Sequence, residues 1–344
     1  MIMKLFKNII WIVLFSTSVV FFNSCNKETN PVTSAVITDD NDNGGNDNDS
    51  GNGNGNNNGN DNSAGQQTGT DGEITLYKVE NGNISKISDY KVSGQNLAFQ
   101  KDIAKHNQIW DLVKKIVPEN QLVKMSEFMI YDGEVSGSAG YVVDVKTDLS
   151  KWQMGIAINY AYDGGFNNGG ELAYTIIHEF GHILTLNDTQ LNAAITKANC
   201  SNYYPGEGCA KSSSYINELF QNYWKDIANE HEQAQNDQAA HQAFYNKYQD
   251  RFVTAYASTN PGEDIAEVFT NFVVKKDKPS GATIAEKKML LMYNRSGLID
   301  FRNHIRKNLN LRGRGVNASF ELPKPGAWKQ ANSIGNPFKT KCRH

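Results

Sequence analysis

Four cysteines in 344 residues are too few for a disulfide-dense scaffold. An excess of one charge sign is missing too: 34 Lys and Arg against 37 Asp and Glu leave a formal net charge of −3. That balance argues against nucleic acid as a partner. No internal repeat is visible. Apolar residues larger than alanine are absent from Asp39 to Gly72, where the chain is nearly all Asn, Gly, Asp and Ser. Such a stretch cannot bury enough surface to offset the entropy of ordering, and as a coil of about 33 residues it would span roughly 30 Å. Its alternating Asp and Asn lack the spaced Gly and large hydrophobic residue of a calcium-binding repeat. The one long apolar run, Ile9 to Phe22, is too short and too early for a membrane span.

What is present begins with that run. Lys4 and Lys7 precede it and Asn23-Ser24-Cys25 follow it, the layout of a secretory signal peptide, with an uncleaved membrane anchor as the alternative. The closing cysteine resembles a bacterial lipoprotein signal. The resemblance implies that residues 1–24 are removed, that Cys25 carries the lipid, and that residues 25–72 tether a domain to a membrane of the cell envelope. The folded part is expected over residues 73–344.

The informative stretch is Glu171 to Leu186, which reads as one buried helix carrying His178-Glu179-Phe-Gly-His182. At 3.6 residues per turn His178 and His182 share a face and can point at one ion, while Glu179 is rotated beside it as a base for a bound water. Leu172, Ile176, Phe180 and Leu184 form an i, i+4 apolar stripe for packing. The bland alternative, a solvated polar face, conflicts with the strongly apolar flanks.

Two candidates compete for a third ligand. Asp188 stands six residues after the second histidine, as in the metzincin pattern, but Thr185 occupies the place where that pattern needs glycine to break the helix. Asp188 reads more simply as part of a helix C-terminal turn. The second candidate is Tyr256-Ala-Ser-Thr-Asn260-Pro261-Gly-Glu263-Asp-Ile-Ala-Glu267. Asn260 can cap a helix whose first position suits Pro261. Glu263 and Glu267 then share a face one turn apart, giving a ligand and a carboxylate to fix a histidine tautomer. Asn260 and Glu263 also satisfy the capping-box spacing, so Glu263 can instead cap its own helix.

His178-Glu-Phe-Gly-His182 followed by Tyr256-x-x-x-Asn260-x-x-Glu263-x-x-Ala-Glu267 resembles the gluzincin proteases of the anthrax-lethal-factor-like group. It resembles still more the lipoproteins of Bacteroidota described as zinc-binding metallopeptidases. The resemblance implies one catalytic zinc ion held by His178, His182 and Glu263, with Glu179 as general base. It further implies Glu267 behind the ligands and Tyr256 donating to the oxyanion. A protein or peptide substrate and a monomeric chain complete that expectation. Two other functions use the same residues less fully: a lipid-anchored binding or import-accessory protein with structural zinc, and a zinc hydrolase of non-peptide amides or glycoconjugates.

Around these blocks the pattern predicts an α+β, zincin-like, two-lobed fold: residues 73–186 as the first lobe, 187–311 as a mostly helical second lobe, and 312–344 as a tail. Alternating runs about Asn81-Gly82 predict a hairpin over residues 73–91, and apolar spacing predicts one helix over 96–117, ended by Pro118. Three strands follow, at 127–131, 140–145 and 152–160. The last is expected as the edge where an extended peptide adds, an interior strand being the alternative. Residues 215–252 read as a long helical stretch and 282–309 as one or two helices. Cys200 and Cys209 flank a turn-rich loop that a disulfide can close, with two free thiols as the alternative, and Cys342 is left over. His106, His231, His241 and His304 stand in no ligand spacing and read as ordinary helix residues.

Overall fold

A computed structural model describes residue 69, residues 71–166 and residues 170–311. The expected signal peptide, Cys25, the Asn/Gly/Asp-rich tether, Cys342 and the tail from 312 lie outside the described residues. Within them the fold is α+β, with a mixed five-stranded sheet. No helix of the described residues is long and apolar enough to cross a membrane.

The chain opens with the expected hairpin, β1 (Glu73–Glu80) and β2 (Asn83–Asp89), turning at Asn81 and Gly82, both at positive φ. The single helix expected over 96–117 is two, α1 (Gly94–Lys101) and α2 (Ile103–Ile116). Asp102 is the reason: its carboxylate accepts from the Lys105 amide and starts a new helix. A short turn, α3 (Glu119–Leu122), leads to β3 (Met125–Tyr131), and α4 (Gly133–Ser136) leads to β4 (Gly140–Asp144). Next comes β5 (Trp152–Ala157), which stops three residues before its expected end and bends into α5 (Ile158–Ala161). There the Asn159 side chain accepts from the Gly133 amide instead of extending the strand.

Strand order corrects a further expectation. It runs β2-β1-β3-β5-β4, so β5 is interior, parallel to β3 and antiparallel to β4. The edge beside the site is β4. Its neighbour β5 carries Met154, Gly155 and Ile156, all buried, as an inner strand covered on both faces must.

After the sheet, α6 (Glu171–Leu186) has the predicted bounds. Its apolar stripe is buried, but so is every other residue of the helix except Glu171 and Thr175. Asn187 closes it, the side-chain amide donating to the carbonyls of Ile183 and Leu184. A two-stranded ribbon, β6 (Leu191–Asn192) with β7 (Cys209–Ala210), follows, and Cys200 and Cys209 are joined as a disulfide. The long helical stretch is broken into α7 (Tyr215–Tyr223), α8 (Ala228–Ala234) and α9 (Gln238–Lys247). One break falls at Trp224, whose indole turns inward to Asp264, and another at Asp237, which caps α9 through the Ala240 amide. Last come α10 (Pro261–Val274), α11 (Ile284–Tyr293) and α12 (Ser296–Asn308). One apolar cluster joins the inner face of the sheet to α2, α6, α10 and α12, with α6 and α10 in its centre.

Candidate metal centre

The two central helices bring the predicted ligands together. His178 and His182 lie one turn apart on α6, with Nε2 atoms 3.1 Å from each other. Glu263, in the first turn of α10, places Oε2 3.1 Å from His178 Nε2 and 3.3 Å from His182 Nε2. Three donors held on an ion by bonds of about 2.0–2.1 Å in tetrahedral array stand about 3.3 Å apart. The observed triangle has those edges. All three residues are buried, and this group can hold a metal ion.

The position of Glu263 follows from local chemistry. Asn260 caps α10 by accepting from the Glu263 amide at 2.9 Å, and Pro261 occupies the first turn. The other half of a capping box is not made, because the Glu263 carboxylate turns to the histidines. Helix α10 can approach α6 closely because residue 181 is glycine. A β-carbon there would stand 3.3 Å from the Ala266 Cα and 3.3 Å from the Phe269 ring.

Behind the ligands, Glu267 is fully buried. Its Oε1 accepts from His178 Nδ1 at 2.8 Å, and its Oε2 from the hydroxyls of Tyr174 at 2.8 Å and Thr254 at 2.7 Å. With Nδ1–H donated to Glu267, the Nε2 atom faces Glu263 and His182 and is the ring nitrogen that would ligate an ion. Burial opposes charging of His178, but Glu263 and Glu267 outweigh it and lift its pKa well above the imidazole range. Burial likewise raises Glu263, yet His182 and His178 hold it well below the carboxylate range. The triangle is therefore a place that attracts positive charge, which a bound metal ion could supply.

Glu179 is buried beside the triangle, against β4. A β-carbon on Gly140 would stand 2.9 Å from Glu179 Cγ and 3.2 Å from its Oε1, so the missing side chain makes room for the carboxylate. Tyr256, on a single 3-10 turn over Tyr256–Ser258, lies with its ring centroid 5.7 Å from that of His178. Burial, with Glu263, Glu179 and Glu267 nearby, pushes its hydroxyl pKa well above 10, which keeps it a proton donor.

No family model matches the chain. Neither does any curated protein or any solved structure.

The structure separates the rival ligands plainly. Asp188 is exposed, its amide bonded to the Leu149 carbonyl and its carboxylate 3.9 Å from Lys124 Nζ. It belongs to the turn after α6. His106 accepts from the Tyr77 hydroxyl and donates to the Phe99 carbonyl, far from the ligands in sequence and bonding. His231 and His241 donate to the carbonyls of Thr259 and Ser258, fastening the segment before α10. His304 bonds Asn308 one turn on.

Sequence reasoning missed Tyr174 and Thr254. Tyr174 stands four residues before His178, a spacing that puts both on one face and was available as a signal. Thr254 had none. Also missed was the fully buried pair of Asp264 and Lys288, 2.5 Å apart, which anchors the residue next to Glu263.

Proposed function

We propose that this chain is a zinc-dependent endopeptidase of the gluzincin type, with a zincin-like two-lobed architecture and a lipid anchor at Cys25. The observation that carries the reading is the buried triangle of His178, His182 and Glu263 with Glu179 beside it. A structural zinc site has no use for a fourth, acidic side chain held at its rim or for a donor at Tyr256. Two imidazoles and one carboxylate suit zinc and leave one position open.

Held by His178, His182 and Glu263, a zinc ion would supply Lewis acidity and would lower the pKa of a bound water towards neutrality. Glu179 then takes the proton of the attacking water and delivers it to the leaving amine. The Tyr256 hydroxyl, kept protonated by burial and by its acidic neighbours, donates to the oxyanion, a role typically worth about 3 kcal/mol of barrier. Glu267 holds the His178 ring in the ligating tautomer. An extended peptide adds along the outer edge of β4, the last strand of the sheet among the described residues, whose first residue, Gly140, lies beside Glu179; main-chain hydrogen bonds would bring a scissile carbonyl past the carboxylate.

The test is cleavage-site profiling of a proteome digest exposed to the purified chain and to Glu179→Gln, with zinc content measured in both. Specific cleavages by the wild type, absent from a zinc-loaded variant, support the proposal. Substantial hydrolysis by Glu179→Gln removes the base from the mechanism. No cleavage by either, with zinc bound, favours the binding-protein or non-peptide readings.

A further inference from the structure

We infer that Thr254 is a positioning residue that couples the orientation of His178 to the placement of Tyr256; the inference rests on the proposed hydrolytic site. Its hydroxyl makes two bonds in different directions. It donates to Glu267 Oε2 at 2.7 Å and accepts from the Ala257 amide at 3.1 Å. The first bond reaches the carboxylate that accepts His178 Nδ1–H, and the second pins the turn that presents Tyr256.

Glu267 is the junction of three segments. Tyr174 and His178 come to it from α6, Thr254 from the segment before α10, and Asn271, one turn along α10, donates to the Tyr174 hydroxyl at 3.3 Å. Tyr174 and Thr254 share Oε2, which leaves Oε1 to His178. Removing the Thr254 donor leaves Oε2 held by Tyr174 alone and loosens the carboxylate about its terminal torsion, which is broad and soft. The same deletion releases the Ala257 amide, so the 3-10 turn loses its tie to α10. One hydroxyl thus serves both the ligand and the oxyanion donor. Serine keeps that hydroxyl, whereas valine keeps the shape without it.

The experiment compares the full chain with Thr254→Val and Thr254→Ser in Co2+ titrations read by the visible ligand-field spectrum, and in steady-state hydrolysis. Partners behind metal ligands typically contribute about 10–100-fold in affinity or activity. Thr254→Val is expected to lower kcat about tenfold with KM within about twofold, weaken Co2+ binding several-fold and shift the spectrum. Thr254→Ser should restore all three. In a Tyr256→Phe background the valine change should cost less in kcat than it does alone. Should valine prevent folding, Thr254→Ala, which removes the same hydroxyl without adding bulk, takes its place. A valine variant matching wild type in spectrum, Co2+ affinity and kcat overturns the inference while leaving the peptidase proposal standing. So does a serine variant as impaired as valine. If the wild type hydrolyses nothing, the peptidase proposal falls, and the Co2+ titrations still decide the role of Thr254. A wild type that binds no Co2+ overturns both.

Discussion

Gly181 of α6 lies against Ala266 of α10 so closely that a β-carbon at 181 would stand 3.3 Å from the Ala266 Cα. This contact sets how near Glu263, one turn before Ala266, comes to the histidines on either side of Gly181. Gly181→Val should therefore act twice. Overpacking a filled core typically costs about 1–3 kcal/mol, and pushing the helices apart opens the ligand triangle. Denaturant unfolding and zinc affinity should both fall. Unchanged zinc affinity in a destabilised Gly181→Val chain would show that the approach of the helices does not set the ligand geometry.

Glu263→Ala removes one corner of the triangle, and zinc occupancy after dialysis against a weak chelator should drop sharply. Asp188→Ala should leave occupancy as it is, since that carboxylate faces Lys124 at the surface. Metal analysis by mass spectrometry decides between them; the opposite result would restore the metzincin assignment.

Asp264 and Lys288 are both fully buried and 2.5 Å apart, with the Trp224 indole donating to the same carboxylate oxygen at 2.6 Å. Burial raises the Asp264 pKa and lowers that of Lys288, each opposed by the other's charge. Breaking such a pair from one side typically costs about 3–5 kcal/mol, because a charge is left without its partner. Lys288→Met should lose stability on that scale. The double change Asp264→Asn with Lys288→Met should recover more than half of it. Thermal unfolding of the two variants measures this, and a double variant no better than the single one would refute the pairing argument.

Burial lowers the pKa of His106 from its ordinary 6.5. Its Nδ1 accepts from the Tyr77 hydroxyl at 2.6 Å, a bond that protonation would abolish. Below pH 6.5 the unfolded chain takes up a proton that the folded chain refuses. The contribution of His106 is thus complete above pH 6.5 and declines as the pH falls towards its depressed folded value, by up to about 1.4 kcal/mol per pH unit. His106→Gln should be most destabilising, relative to wild type, near pH 7.5, and the difference should shrink by pH 5.5. A difference constant across that range would contradict the shift. His231, lowered for the same reason of burial, adds a second contribution of the same sign.

Much of the site was legible because its rules are local. Helical spacing alone places His178 with His182 and Glu263 with Glu267, and Asn260 with Pro261 marks where the second helix starts. The fold class and the turn at Asn81-Gly82 are likewise written in short-range pattern. The break at Asp102 was legible in principle, since a capping carboxylate three residues before Lys105 is a local signal, but the apolar spacing across it masked the cap.

What only the tertiary structure decided are relations between segments distant in the chain. These are β4 rather than β5 at the sheet edge, Gly140 leaving space for Glu179, Gly181 against Ala266, and the Tyr174 and Thr254 hydroxyls on Glu267. The disulfide between Cys200 and Cys209, open from the sequence, is closed in the fold. Periodicity fixes which residues of an element share a side, because it follows from backbone geometry. Which neighbour it meets there depends on how all the elements pack at once, and no single segment encodes that.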